Sequence, residues 1–381
     1  MSWNDIIGQA RAKKYLQRAI TEQRIAHAYV LWGPRGVGKD ALAIEFARTL
    51  LCRTRTTESC GVCPDCRKVS ALQHPNVKII FALPAGEKEN NSGEEKMKTD
   101  VRSEVREQME RKAANNYFHF SIPRASVITI GSVREIRRES SMTAFEAGRK
   151  IFIVSDAELM NDASQNAFLK VLEEPPADTI FLLTTSRKEL LRPTILSRCQ
   201  SIRCDILSDE EIDTALKERE HVEPRQARLV AQLANGDYSR ASELLGEDLV
   251  HLRESAVNFL RAVAVGKPVQ VFEEMDFFLE SDRKLSEQFL QILLLWLRDA
   301  MLMQEGKKRV INADQADSLE KFVQRYGKTE LSATLAVVER ALDLLRKNVY
   351  LQLVFVSLAI PLQRILLSAD TGADFQHEKK P

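Results

Sequence analysis

The chain has 381 residues, with 55 Lys and Arg against 54 Asp and Glu and a formal net charge of +1. That length predicts two or three domains with more than one core, and the balanced charge excludes a uniformly basic nucleic-acid coat while leaving room for a local basic face. The polar start, Met1-Ser2-Trp3-Asn4-Asp5, carries no basic-then-apolar leader, and the apolar run at 289–297 is too short and interrupted to cross a bilayer. A soluble cytoplasmic protein with no membrane partner is expected. Its six cysteines then read as thiols or metal ligands rather than disulfides.

Apolar positions at helical spacing predict a helix over 10–22, after the turn signal Ile6-Ile7-Gly8-Gln9. The run from Tyr29 to Ala41 follows, an apolar strand pattern turning through glycines into a helix that continues over 41–51. Gly33, Gly36, Gly38 and Lys39 fit a phosphate-binding loop of the form G-x-x-x-x-G-K. In such a loop backbone N–H groups close around phosphates, the lysine reaches the outer phosphates, and a Ser or Thr hydroxyl after it holds Mg²⁺. Here Asp40 stands where the hydroxyl belongs. A carboxylate there faces a triphosphate with the wrong charge, so Mg²⁺-ATP is expected to bind poorly and to be hydrolysed less still.

Cys52, Cys60, Cys63 and Cys66 come next as C-x7-C-x2-C-x2-C, with Gly61 and Pro64 supplying tight turns. Four thiolates at this spacing suit one tetrahedral Zn²⁺, and they leave no open position for a catalytic water, so the expected metal is structural zinc. Residues 1–70 carry 12 Lys and Arg against 6 Asp and Glu, which suits contact with DNA and equally a solvated basic face.

A strand is predicted over 77–83. Residues 86–116 then depart in composition, with 8 acidic and 7 basic residues and almost no large apolar ones. They read as a surface insertion, partly helical over 100–112 and otherwise mobile, with no chemistry suggested. Strand character returns at 127–130, a helix at 132–142, and a buried strand at 150–154. That alternation around a phosphate loop predicts a parallel α/β sheet covered on both faces.

A phosphate-loop ATPase places an Asp at the end of such a strand to orient Mg²⁺, followed by a carboxylate that activates water. Aligned on the apolar run Ile151-Phe152-Ile153-Val154, these two slots hold Ser155 and Asp156; sliding the register so that Asp156 and Glu158 serve instead moves the carboxylate beyond the strand end. Two metal-handling positions are therefore altered together. A helix over 162–172 with Asn166, Lys170 and Glu173 on its polar side stops at Pro175-Pro176. A buried strand over 179–184 precedes Leu191-Arg192-Pro193-Thr194-Ile195-Leu196-Ser197-Arg198-Cys199, where composition alone makes Arg198 no more than a salt-bridge partner.

Taken together, Asp5-Ile6-Ile7-Gly8-Gln9, Arg24-Ile25-Ala26-His27-Ala28-Tyr29, the glycine loop, the four cysteines, the stretch Asn166 to Pro176 with its Leu-Glu-Glu-Pro-Pro end, and Ser197-Arg198-Cys199 resemble the clamp-loader branch of the AAA+ family in its bacterial DNA polymerase III form. The resemblance is good over 3–206 and looser beyond. It implies an AAA+ core over 1–206 with a zinc module at 52–66 and the charged insertion at 86–116. A small helical lid over 207–248, a helical collar over 249–368 and a disordered tail at 369–381 would follow. Ser208 reads as the cap of the first lid helix, and Leu331, Leu335, Val338, Leu342 and Leu345 as one apolar stripe of the collar.

Motor members of that family keep their metal ligands and an Arg three residues after the Gly of the second sensing position; here Gly236 is followed at that spacing by Ser239, with Arg240 one step on. The resemblance thus implies a non-hydrolysing member, and for Arg198 a role in trans on ATP held by a neighbouring subunit. The implied partners are the gamma/tau and delta subunits, the sliding clamp, and primed DNA through the assembly, in the replisome on the nucleoid. Two other readings use the same residues: an active AAA+ motor subunit, and a zinc-dependent nucleic-acid-binding module with the α/β domain as scaffold.

Overall fold

The computed structural model describes residues 2–54, 56–84, 99–120, 122, 125–142, 148–245, 249–266, 268–280, 283–307, 310–326 and 331–371. The chain forms two compact units, the first made of 1–227 with 234–243 and the second of 228–233 with the residues from 244 on.

In the first unit α1 (Ala10–Thr21) leads to β1 (Ala28–Trp32), and the glycine loop connects β1 to α2 (Lys39–Leu51). Then come α3 (Pro64–Ser70), β2 (Val77–Ile80), β3 (Leu83–Pro84), α4 (Thr99–Ala114), β4 (Ala125–Val127), α5 (Ile130–Ser141), β5 (Lys150–Val154), α6 (Asp162–Glu173), β6 (Thr179–Thr185), α7 (Pro193–Leu196) and β7 (Gln200–Arg203). After them stand α8 (Asp209–Arg219), α9 (Pro224–Ala234), whose residues 228–233 belong to the second unit, and α10 (Tyr238–Leu244). Five strands form one sheet in the order β2-β5-β6-β1-β7, every pair parallel. The three middle strands read as continuous apolar runs because helices cover both faces of a parallel sheet. Val30, Val154 and Leu183 are fully buried among them.

Helix starts follow their capping residues. Thr129 caps α5 and Asn161 caps α6, each side-chain oxygen accepting the N–H of the third residue on. Ser208 and Glu211 form a reciprocal capping box at α8. The strand expected over 77–83 is instead two: β2 ends at Ile80, and β3 pairs antiparallel with β4 in a separate ribbon. Between them Phe81 leaves the sheet to stack on Phe120, ring centroids 4.3 Å apart.

Phe181 is the hub of the sheet core, fully buried, with the Phe152 and Phe168 ring centroids each 5.6 Å away. Phe181→Ala should remove about 3–5 kcal/mol of stability, through lost transfer energy plus an unfilled cavity. Urea unfolding followed by far-UV circular dichroism checks this.

The second unit is helical: α11 (Leu249–Val265), α12 (Pro268–Glu280), α13 (Arg283–Gln304), α14 (Ala316–Tyr326), α15 (Leu331–Arg346) and α16 (Leu351–Thr371). Phe259, Phe278, Phe289 and Phe355 form its aromatic centre, with the Phe278 and Phe289 centroids 4.2 Å apart. Leu331, Val338, Leu342 and Leu345 are buried along α15 as the stripe predicts, with Leu335 half-buried. Among the described residues no helix is long and apolar enough to cross a membrane. Residues 372–381 of the expected tail and 86–98 of the insertion lie outside the described residues.

The described part of that insertion is helical as expected, over α4, and mostly exposed or half-exposed, but one side of it is not solvated. Along α4 and just after it, Gln108, Lys112 and Asn116 are buried, at helical spacing on one side. A polar side chain turned inward leaves no apolar periodicity to read. From that side Lys112 reaches Asp40, which follows the glycine loop.

Candidate functional site

The loop Gly33 to Gly38 sits at the carboxyl end of β1, between β6 and β7, where a parallel sheet opens a crevice. Gly38 has φ +94 and Gly36 φ +64, both in the left-handed region. A side chain at either would also collide with the chain itself. A Cβ on Gly38 would lie 2.8 Å from the Tyr117 ring, and one on Gly36 would lie 1.5 Å from the Asp237 carboxylate.

Lys39 is buried, and its ammonium is fully engaged: it donates to Gly33 O at 2.9 Å, Pro34 O at 2.6 Å and Ser186 Oγ at 3.1 Å. Burial lowers its pKa, with Asp40 and Asp156 opposing the shift. Asp40 does not face an empty slot. Its Oδ2 accepts from Lys112 Nζ at 2.7 Å and its Oδ1 from Thr184 Oγ1 at 2.7 Å. Burial pushes the Asp40 carboxyl up, but Lys112, Thr184 and Lys39 outweigh it and hold the group below the usual carboxylate range. Lys112 also donates to Phe118 O at 2.5 Å and lies 5.3 Å from the Phe120 ring centroid. Asp40, paired with an ammonium from its own chain, is anionic where an intact loop carries a neutral metal ligand.

The end of β5 lies near these groups. Ser155 is buried, and its Oγ has no hydrogen-bond partner among the described residues. Asp156 takes φ +51, and its N–H donates to Thr184 Oγ1 at 3.4 Å. Burial raises the Asp156 pKa, with His119 opposing and Asp40 and Glu158 adding to the shift. His119 bridges outward, with Nδ1 at 3.5 Å from Asp156 and Nε2 at 2.9 Å from Arg35 Nη2. Glu158 accepts the Ser186 N–H at 3.0 Å. The structure therefore gathers Gly33, Gly36, Gly38, Lys39, Asp40, Ser155 and Asp156 at one edge of the sheet. It adds Lys112, Tyr117, His119 and Thr184, which spacing arguments did not find. Thr184 and Ser186 carried a faint signal, being hydroxyls at the end of a buried strand; Lys112 carried none.

Arg198 stands elsewhere. It precedes β7, whose first residue Gln200 pairs with Tyr29, whereas the glycine loop follows Trp32 at the other end of β1. Four residues of strand separate the two levels, about 13 Å at roughly 3.3 Å per residue. Arg198 Nη2 pairs with Glu173 Oε1 at 3.0 Å and Nη1 donates to Thr194 O at 3.1 Å, and the side chain is 37% exposed. The Leu-Glu-Glu-Pro-Pro helix end and the Ser-Arg-Cys stretch are thus one local structure. Those contacts hold the guanidinium at the end of the sheet opposite its own glycine loop.

The four cysteines converge, with all ligand sulfurs within 4.8 Å of one another. Cys60 Sγ and Cys66 Sγ are 4.0 Å apart, close to the roughly 3.8 Å separation that tetrahedral Zn–S bonds of about 2.3 Å impose. Backbone N–H groups point at sulfur: Cys60 N to Cys52 Sγ at 3.3 Å, Cys63 N to Cys60 Sγ at 3.4 Å, and Cys66 N to Cys63 Sγ at 3.4 Å. Such donors stabilise thiolates, so the residues fit a metal. Burial raises the Cys52 thiol, but hydrogen bonds from Thr54 and Cys60 outweigh it and bring the group down to about 6. Burial pushes the Cys66 thiol up. The cluster is tied to α2 through Ser59 Oγ, which donates to Glu45 Oε1 at 2.9 Å, and through Arg48 Nη1, which donates to Ser70 Oγ at 3.1 Å.

Comparison with known proteins agrees with this arrangement. A family model described as DNA polymerase III, delta subunit, matches residues 8–207, and one described as its C-terminal part matches 247–363. The DNA polymerase III subunit delta' of Bacillus subtilis is 26% identical over 369 residues, covering 95% of this chain and 99% of the relative. The delta' subunit of Pseudomonas aeruginosa is 34% identical over 182 residues, 48% of this chain and 44% of that one. The tau subunit of Salmonella typhimurium is 29% identical over 246 residues, 63% of this chain but only 32% of the relative.

Proposed function

Because the chain belongs to the DNA polymerase III delta subunit family, we propose that it is the delta'-type stator of a sliding-clamp loader, a subunit that positions its neighbours and hydrolyses no ATP itself. One observation carries this reading: the magnesium position of the phosphate loop holds Asp40 locked to Lys112, while Arg198 lies exposed at the opposite edge of the same sheet. The first feature argues against turnover in this chain. The second supports a role in trans. A guanidinium stays charged under cell conditions and forks onto phosphate oxygens, so it suits the charge that develops on a phosphoryl group in transfer.

In this reading the gamma/tau subunits bind ATP, one of them beside Arg198, and delta with this chain completes a ring that opens the clamp for primed DNA in the cytoplasm. Cys52, Cys60, Cys63 and Cys66 hold structural zinc. Residues 207–248 serve as lid, and 249–368 as collar. Exposed apolar side chains on and beside α16, among them Tyr350, Leu353 and Ile360, support a collar surface that meets other subunits.

The test is reconstitution with cognate gamma/tau and delta. Clamp loading onto primed DNA should require this chain, and the purified chain alone should show no ATPase. Hydrolysis by the isolated chain that disappears with Lys39→Ala would reverse the assignment in favour of a motor subunit.

A further inference from the structure

Loss of a hydroxyl at position 40 would by itself leave an open loop with weak affinity. The structure holds something more. From one side α4 and the turn after it reach the loop: Lys112 Nζ occupies the cation position against Asp40, and Tyr117 lies over Gly38 with its hydroxyl accepting the Ile7 N–H at 2.7 Å. From the other side Asp237, at the start of α10, sets its carboxylate against Gly36, and the Tyr238 N–H donates to Gly36 O at 3.2 Å. Lys39 is turned back onto the loop's own carbonyls. His119 and Arg35 extend the closure to Asp156.

We infer that the insertion helix α4 is a built-in plug: Lys112 and Tyr117 hold the phosphate loop shut and exclude Mg²⁺-nucleotide from it, so the loop works as a joint between the insertion and the sheet. The charges make the closure self-consistent. Lys112 is buried with Asp40 as its ion-pair partner, and Asp40 is held ionised by Lys112, so neither group can be released without stranding a charge away from water. An incoming triphosphate would have to displace Lys112 and Tyr117, free Lys39 from three acceptors, and sit beside the carboxylates of Asp40 and Asp237. Position 40 alone therefore does not decide binding; the plug does. This goes beyond the stator assignment, and its test needs no partner subunit, so the two can fail separately.

Binding of a fluorescent N-methylanthraniloyl-ATP with Mg²⁺ is measured on the full zinc-loaded chain. The wild type and Asp40→Thr should both show no saturable binding. The double variant Asp40→Thr with Lys112→Ala should bind at least tenfold more tightly than either. Three results would overturn the plug: binding by the wild type, binding by Asp40→Thr equal to that of the double variant, or no gain in a double variant whose circular dichroism and zinc content match the wild type. Should the double variant fail to fold, hydrogen exchange on the wild type decides. A plug requires the amides of 104–114 to exchange as slowly as those of α2, whereas fast exchange there beside a protected loop 33–38 would refute it.

Discussion

Arg198→Ala should lower ATP turnover at the adjacent site of the reconstituted loader by about 10³-fold, the lower end of the range for arginine fingers, while assembly and folding stay intact. Folding is spared because the residue's own ion pair with Glu173 is half exposed, and such pairs contribute only about 0–1 kcal/mol. The loss should be confined to chemistry in trans because the residue sits at the strand-start end of the sheet, opposite the end that carries its own glycine loop. Arg198→Lys should recover little, since a point charge lacks the planar fork that grips two phosphate oxygens. Glu173→Gln supplies the complementary variant: it releases the guanidinium without removing it, and turnover should stay near the wild-type rate. Steady-state ATPase with clamp and primed DNA, alongside gel filtration of the assembly, measures all three. Unchanged turnover with Arg198→Ala would leave the side chain as the surface salt bridge that composition alone suggests.

The parts of this molecule that were legible in its sequence share a physical cause. Lys150–Val154 and Thr179–Thr185 read as strands because strands buried on both faces need unbroken apolar runs, and α6 ends at Glu173 because Pro175 and Pro176 cannot continue a helix. The cysteine spacing was legible because metal geometry fixes how far apart thiolates can be. The inner face of α4 was not. It buries Gln108 and Lys112, with Asn116 just beyond it, all of which a hydrophobicity pattern assigns to solvent, and the partner that makes burial of Lys112 tolerable is 72 positions away at Asp40. The break between β2 and β3 was hidden for a related reason: Phe81 continues an apolar run while its ring belongs to a different cluster with Phe120. Asp40 was legible as a departure from a phosphate loop, but the meaning of the departure came only with its neighbours.

Removing zinc should unfold the segment 52–70 and destabilise the helix that follows the phosphate loop. Between Cys52 and Ser70 the buried side chains are few, chiefly Cys52, Asp65, Cys66 and Val69, too little apolar surface to hold a turn-rich segment without a crosslink. Structural zinc contributes its binding energy directly to folding, on the order of 10 kcal/mol in isolated finger peptides. Here the sheet folds on its own core, so the cost is what the segment shares with α2. Glu45 and Arg48 are buried, and their partners Ser59 and Ser70 belong to the segment. Losing the Ser59 and Ser70 hydrogen bonds to this buried pair should cost about 3 kcal/mol for the two together. For a unit of this size that lowers the melting temperature by roughly 6–12 °C. Chelation at neutral pH, or Cys60→Ser with Cys63→Ser, should produce this shift together with loss of bound zinc by atomic emission. Because the ligands must be thiolates, zinc retention should weaken as pH falls and not as it rises. A chain that binds no zinc when expressed in zinc-replete medium, or that melts at the same temperature after losing it, would reduce the four cysteines to ordinary thiols.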